Sequence, residues 1–193
     1  MSRLPLVVAL CATPFLAFAQ ETPAPEELPN DPSQTAPDAA APESPMTLER
    51  LDEIVRTLDP EAQSNGGMWQ LTINDLQILI ITDPVNDRMR ALTPVRGTDD
   101  LNVTELTRMM QANFDTALDA RYAIARDTVW ATFIHPLSPL EKDQLISGLG
   151  QVVNLAQSYG TLYSGGAMSF GGGDSGELQR ALIDELLKKG EEI

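Results

Sequence analysis

Residues 68–95 read MWQLTINDLQILIITDPVNDRMRALTPV, and this stretch decides the fold. Its first and last parts alternate apolar with polar residues, which is typical of strands with one buried face. The apolar faces of these two parts consist of Trp69, Leu71 and Ile73, and of Met89, Ala91, Thr93 and Val95. The middle part, 76–81, is mostly apolar and predicts a central strand buried on both faces. The links at 74–75 and 83–87 have the composition of turns, and Pro94 favours an edge or a strand end. The stretch therefore predicts an antiparallel meander of three strands.

Helices and two further strands flank this meander. In chain order, the flanking elements are a helix over 48–58, a helix over 103–114, strands over 118–125 and 128–134 joined by a tight turn at 126–127, and a helix over 139–159. The helices begin at the capping residues Thr47, Asn102 (with Glu105) and Ser138, and residues 64–67 form a loop. The order is α-β-β-β-α-β-β-α, which predicts a single α+β domain with an antiparallel sheet packed against helices.

A further amphipathic helix is predicted at the end of the chain. Residues 164–176 are glycine-rich and predict a flexible linker. Residues 177–190 predict a helix whose apolar side consists of Leu178, Leu182, Ile183, Leu186 and Leu187. A helix of this length is marginal alone, so we expect it to fold back onto its own domain or to dock on another chain. In the preceding helix, Gly148 and Gly150 predict close packing on the sheet.

Residues 1–19 have the anatomy of a secretory signal peptide. Arg3 precedes an apolar run that ends in a small-x-small cleavage pattern at Ala19. We expect cleavage after Ala19, which removes Cys11, the single cysteine. The mature protein would be periplasmic or secreted, with no stable membrane insertion. Residues 20–46 are rich in proline, alanine and acidic residues, and predict a disordered linker.

Charge and residue types restrict the possible chemistry. The formal net charge of −15 argues against nucleic acid as a partner. A catalytic role for His135, the single histidine, would need a nucleophile or carboxylate beside it, and the sequence marks none. Asp83, Asn86 and Asp87 resemble part of a calcium loop but lack its glycine and distant glutamate, so weak calcium binding stays open. We therefore predict no catalytic, cofactor-binding or metal-ligating residue, and no cofactor.

The large aromatic residues give a further criterion for a binding surface. They are Trp69, Phe114, Tyr122, Trp130, Phe133 and Tyr159. We expect most of them in the core, so an exposed one would mark a groove for a partner.

One block of sequence resembles the YbjN-type domain, a family of bacterial sensory transduction regulators related in fold to type III secretion chaperones. The resemblance is carried by Arg88-Met89-Arg90, Thr93-Pro94-Val95, Met109-Met110-Gln111-Ala112-Asn113-Phe114, Asp119-Ala120-Arg121-Tyr122-Ala123, the strand containing Trp130, and His135-Pro136-Leu137. It places the domain at 47–163, about three-fifths of the chain. The resemblance implies a non-enzymatic α+β domain, often dimeric, that acts by binding protein.

The sequence therefore favours an exported, non-enzymatic protein-binding module, chaperone-like or regulatory, in the bacterial periplasm. The expected partner is a protein or peptide, or a second copy in a homodimer. Two alternatives stay open. One is an enzyme of unrecognised type that uses carboxylates, and the other is a structural envelope protein held by self-association.

Overall fold

The computed structural model describes residues 43–115, 118–160 and 177–191. The predicted signal peptide, residues 20–42 of the predicted linker and the glycine-rich segment 164–176 lie outside the described residues. The elements are α1 (Leu48–Leu58), β1 (Gln63–Asn65), β2 (Met68–Ile73), β3 (Leu76–Asp83), β4 (Arg88–Gly97), α2 (Val103–Asp115), β5 (Arg121–Ala125), β6 (Thr128–Pro136), α3 (Lys142–Gln157) and α4 (Glu177–Gly190). The α+β class and the element order are confirmed, with the short β1 added. None of these helices combines the length and apolarity that crossing a bilayer requires.

The six strands form one antiparallel sheet in the order β1-β2-β3-β4-β6-β5. The predicted meander is β2-β3-β4, and the β5–β6 hairpin extends it because β6 pairs with β4. Both predicted tight turns are present. Asn74-Asp75 and Arg126-Asp127 have positive φ angles between 48° and 62°, as the two-residue turns of twisted hairpins require.

The helices α1 and α3 lie on one face of the sheet, and α3 lies between the sheet and α4. A Cβ at Gly148 would come within 2.7 Å of the Phe133 ring on β6. A Cβ at Gly150 would come within 2.9 Å of Ile183 Cγ1 on α4. The prediction of close packing on the sheet is therefore confirmed for Gly148. Gly150 instead admits the terminal helix.

The terminal helix α4 folds back onto its own domain, which answers the alternative that the sequence left open. Ile183 is fully buried, and α4 packs against α3 and α1. Lysine ammonium groups form hydrogen bonds between α4 and both neighbouring helices. Lys142 of α3 donates to the Gly190 carbonyl at 3.1 Å, and Lys189 of α4 donates to the Leu58 carbonyl of α1 at 2.6 Å.

The start of α3 differs from the prediction. Ser138 does not cap the helix, which begins at Lys142 after the N-cap Glu141. Ser138 donates instead to Asp87, from its backbone nitrogen at 2.7 Å and from its hydroxyl at 2.8 Å. The Asp87 carboxylate, 51 residues away in sequence, thus accepts hydrogen bonds from both donors of Ser138. The other two predicted caps are confirmed, since the Arg50 amide donates to Thr47 Oγ1 and the capping box of the second helix is present.

Three strand predictions also change. β5 begins at Arg121 and not at Leu118, because the backbone amides of residues 119 and 120 donate to Gln151 Oε1 of α3 at 2.7 and 3.0 Å. The predicted loop over 64–67 contains the end of β1, which pairs with β2. Pro94 lies in an interior strand at a register shift between Pro94 and Arg96, where a bulge tolerates the missing backbone donor.

The chain packs on the domain slightly before the predicted cap of α1. Met46 is buried, and its backbone nitrogen donates to the Ser138 carbonyl at 3.0 Å. Glu43 forms an ion pair with Arg50 and accepts a hydrogen bond from the Lys142 amide at 3.1 Å. The hydrogen bond from the backbone amide of Lys142 is the main reason that the pKa of Glu43 lies below its ordinary value.

Candidate protein-binding face

The two faces of the sheet have different fates. Side chains alternate along each strand, and one set forms the core under α1 and α3. Its members include Trp69, Leu71, Ile78, Ile80, Met89, Ala91, Val129, Ala131 and Phe133, all buried. The other set faces away from these helices. Within the described residues, no helix packs over the large side chains of that second set, so the sheet has an open face.

We define the open sheet face by its six large apolar side chains: Met68, Leu79, Ile81, Leu92, Trp130 and Ile134. Met68 and Ile134 are 43% and 59% exposed, and the other four are half-buried. The prediction that 76–81 is buried on both faces is therefore wrong for its outer side. Ile78 and Ile80 are fully buried, whereas Leu79 and Ile81 face outward.

Strand register brings the members of the open sheet face together. Leu79 of β3 lies opposite Leu92 of β4, and Met68 of β2 lies opposite Ile81. Directly opposed residues of neighbouring strands have Cβ atoms about 4.5–5.5 Å apart. On β6, Trp130 and Ile134 flank Thr132, which lies opposite Leu92. Apolar side chains of β2, β3, β4 and β6 therefore share this face, with Arg90 and Thr132 among them, although they are distant in sequence.

A groove of about 360 Å³ runs over this surface. Its walls are Leu79, Ile81, Arg90, Leu92, Ala123, Ala125, Arg126, Trp130, Thr132 and Ile134. The Trp130 indole nitrogen donates to the Ala125 carbonyl at 3.0 Å, which fixes the ring over the β5 side. The groove is thus apolar, with two arginines and no acidic residue among these ten.

The helix α2 presents a second exposed apolar stripe. Val103, Met110 and Phe114 are 78%, 56% and 72% exposed, and their spacing of seven and four residues places them on one side of the helix. Phe114 thus meets the criterion that an exposed aromatic residue marks a partner surface. The opposite side of α2 packs inward through Met109 and Ala112.

The same helix covers part of the outer edge of the sheet. The Tyr122 amide donates to Asn113 Oδ1 at 2.7 Å, and Asn113 Nδ2 donates to the Tyr122 carbonyl at 3.1 Å. These are the backbone groups that a further strand would use. The amide side chain therefore occupies one pairing position of β5, which is a common protection of edge strands.

His135 lies in a separate cleft of about 540 Å³ that Asp119, Asp143 and Ser147 also line. The sequence did not mark these neighbours, because they come from α3 and from the segment before β5. No hydrogen bond joins His135 to any of the three. Its Nδ1 lies 2.8 Å from the Pro136 carbonyl oxygen, which can only accept, so Nδ1 carries the hydrogen. The imidazole also stacks on the Phe133 ring.

The carboxylates of the candidate calcium loop already have protein donors. Asp83 accepts from the backbone nitrogen and the side-chain amide of Asn86, at 3.1 and 2.7 Å, and Asp87 accepts from Ser138. These hydrogen bonds lower the pKa of Asp83 and of Asp87. Across residues 43–115, 118–160 and 177–191, no three metal-ligating side chains form a group that could hold an ion.

Hydrogen bonding also lowers the pKa of two further carboxyl groups, those of Asp52 and Glu49. The Arg56 guanidinium, followed by the Trp69 indole, lowers the pKa of Asp52, and hydrogen bonds from its own backbone amide and then from the Thr47 hydroxyl lower the pKa of Glu49. The pKa is thus lowered for Glu43, Glu49, Asp52, Asp83 and Asp87.

Comparisons with known proteins give a likeness of fold. No family model matches the chain, and no curated protein matches it. One chain of the crystal structure of the ExsC–ExsE complex is similar, with a TM-score of 0.48 and 12% identity over 63% of this chain and 99% of that chain. A chain of the HopA1–SchA chaperone–effector complex is similar with a TM-score of 0.45 and 14% identity, over 56% of this chain and 88% of that chain. At these identities the likeness concerns the fold alone.

Proposed function

We propose that this chain is an exported, non-enzymatic protein-binding module, chaperone-like or regulatory, and that the open sheet face is its binding surface. The observation that carries the proposal is the apolar surface across β2, β3, β4 and β6. Exposed apolar surface that is contiguous is unusual on a monomeric protein and typically marks an interaction site. Scattered single residues would carry no such meaning.

The energetics of the sheet support a partner for this face. Leu79, Leu92 and Trp130 are only half-buried, so each retains apolar area that water covers. Removing apolar area from water is favourable by about 25 cal/mol per Å², from which the entropic costs of association are subtracted. Aromatic residues such as Trp130 are enriched among the residues that dominate binding. The face therefore has the composition of an interface centre.

The place of action rests on the sequence. The signal-peptide pattern of residues 1–19 supports export, and an acidic chain of net charge −15 suits a self-repelling soluble protein. The resemblance to YbjN-type domains supports a regulatory or chaperone-like role. We accordingly assign the action to the periplasm, after cleavage behind Ala19. Mass measurement of the exported protein tests this part, because cleavage there leaves Gln20 at the N-terminus.

Self-association through α2 is a second candidate, favoured by its exposed stripe. Val103, Met110 and Phe114 could pack against the same stripe of a second copy, as an isologous interface requires. This homodimer uses a different surface from the open sheet face. The two activities are therefore compatible.

A pull-down from envelope extract tests the proposed function. The bait is the mature protein, and the variant Leu92→Ser removes one apolar side chain from the middle of the open sheet face. The matched control is Val85→Ser in the turn between β3 and β4, where Val85 is 93% exposed. We expect a specific protein to be retained by wild type and by Val85→Ser and lost with Leu92→Ser. Equal retention by all three baits, or no specific protein, contradicts the proposal.

A further inference from the structure

We propose that the groove on the open sheet face binds an acidic segment of a partner protein that carries bulky apolar side chains. This inference rests on the proposed function and specifies the partner's chemistry. Two properties of the groove lead to it: an apolar floor and a local positive charge.

The floor sets the apolar part of the partner. Leu79 and Leu92 lie opposite each other, and Trp130 and Ile134 continue the surface on β6. Met68 and Ile134, at the two ends of the apolar surface, are the most exposed of the six. The surface thus extends over four strands, which are about 4.8 Å apart. That span suits several side chains of a peptide better than one small molecule.

The arginines set the charged part. Arg90 of β4 lies opposite Ile81 on one side and Ile134 on the other, so it stands amid the apolar residues. Arg126 lies in the β5–β6 turn and also lines the groove. Neither forms an ion pair with a described carboxylate side chain, and the same holds for Arg88, Arg108 and Arg121, whereas Arg50, Arg56, Arg96 and Arg180 form one.

The contrast with the whole chain makes this charge informative. The protein carries 28 acidic and 13 basic residues, yet the groove has two arginines and no acidic wall residue. Most of the surface therefore repels an acidic partner, while the groove attracts one. Arginine pairs with carboxylates through two parallel hydrogen bonds. An acidic segment would thus be guided to the groove and held in a defined register.

Defined peptides test the inference by fluorescence anisotropy. The probe is a labelled twelve-residue peptide in which Leu or Phe alternates with Glu. Its twins replace every Glu with Gln or with Lys. We expect the Glu peptide to bind most tightly and the Lys peptide least. Added salt should weaken binding of the Glu peptide, because exposed ion pairs are screened.

A pair of charge-reversal variants identifies the site. Arg90→Glu with Arg126→Glu should weaken binding of the Glu peptide about two- to thirtyfold, as expected for two exposed ion pairs. Arg108→Glu with Lys188→Glu is the control, since it changes the net charge equally at exposed positions on α2 and α4. The control should leave the affinity nearly unchanged. Urea unfolding shows whether each variant is folded.

Four results would overturn the inference. Equal binding of the Glu and Gln peptides, with no effect of the groove variant, removes the acidic preference but leaves the protein-binding proposal standing. Equal weakening by both variants shows that net charge and not the groove is responsible. Binding of dodecanoate without binding of any peptide makes the groove a site for a small anionic amphiphile. If no peptide binds and the pull-down also fails, both proposals fall.

Discussion

The contact between Gly150 and Ile183 gives a quantitative test of how α4 is docked. Alanine at 150 gains about 1 kcal/mol of helix propensity. Its Cβ, however, would lie 2.9 Å from Ile183 Cγ1, and overpacking of this kind costs about 1–3 kcal/mol. We therefore expect Gly150→Ala to lower the free energy of unfolding by about 0–2 kcal/mol.

The effect of Gly150→Ala on stability should change from destabilising to stabilising when the Ile183 side chain is removed. Ile183→Ala costs about 2–5 kcal/mol by itself, because Ile183 is fully buried. In that background the nearest neighbour of the new Cβ is Leu186 Cδ1 at 3.4 Å, so most of the overpacking disappears. Gly150→Ala should then be stabilising by about 0.5–1 kcal/mol. The coupling between the two substitutions is therefore about 0.5–3 kcal/mol.

Gly148→Ala is the matched control in the same helix. Its Cβ would meet the Phe133 ring at 2.7 Å, whether or not Ile183 is present. We expect it to be destabilising in both backgrounds, with a coupling to Ile183→Ala within about 0.5 kcal/mol. Urea unfolding followed by circular dichroism measures all variants. Additive behaviour of Gly150→Ala and Ile183→Ala would refute the placement of α4 on α3.

Three further outcomes are expected. Ser138 donors lower the pKa of Asp87, so this group stabilises the fold above its ordinary pKa of 3.8 and loses that effect as pH falls through the lower folded-state pKa. Wild type should exceed Asp87→Asn in urea stability at neutral pH, and the gap should close in acid; a constant gap contradicts this. Asn113→Ala removes two hydrogen bonds to Tyr122, at about 0.5–1.5 kcal/mol each, and should raise light scattering by opening the β5 edge; unchanged stability contradicts it. Phe114→Ser should reduce any dimer seen by light scattering at high protein concentration, whereas an unchanged dimer would exclude the α2 stripe.

The strands and turns were predictable because their signals are local. Alternation over 68–73 and 88–95 identified the core faces, and Asn74-Asp75 and Arg126-Asp127 identified two hairpin turns. Each signal depends on neighbours within a few residues. The corresponding parts of the structure follow the sequence closely.

The misassigned element ends have a common cause, which is long-range hydrogen bonding. Ser138 has the local character of an N-cap, but it donates its hydrogen bonds to Asp87, which lies 51 residues away in sequence. The start of β5 moves because Gln151, on α3, takes the amides that precede it. Local pattern does not contain such competition.

The open sheet face could not be predicted either, because local sequence does not show which elements cover a strand. The run over 76–81 indicates apolar side chains on both sides of a strand. It does not indicate what covers the second side. In this fold α1 and α3 cover the side of Ile78 and Ile80, and no described helix covers Leu79 and Ile81. An apolar strand that is fit for binding and one that is fully buried are alike in sequence.

Site-specific photo-crosslinking in intact cells tests the central claim most directly. A photoreactive phenylalanine analogue replaces Leu92 on the open sheet face, and in a matched strain it replaces the highly exposed Val85. We predict that position 92 yields one discrete protein adduct in the periplasmic fraction, whereas position 85 yields none. The account is contradicted if position 92 gives no adduct, or if both positions give the same adducts, while the exported protein accumulates normally.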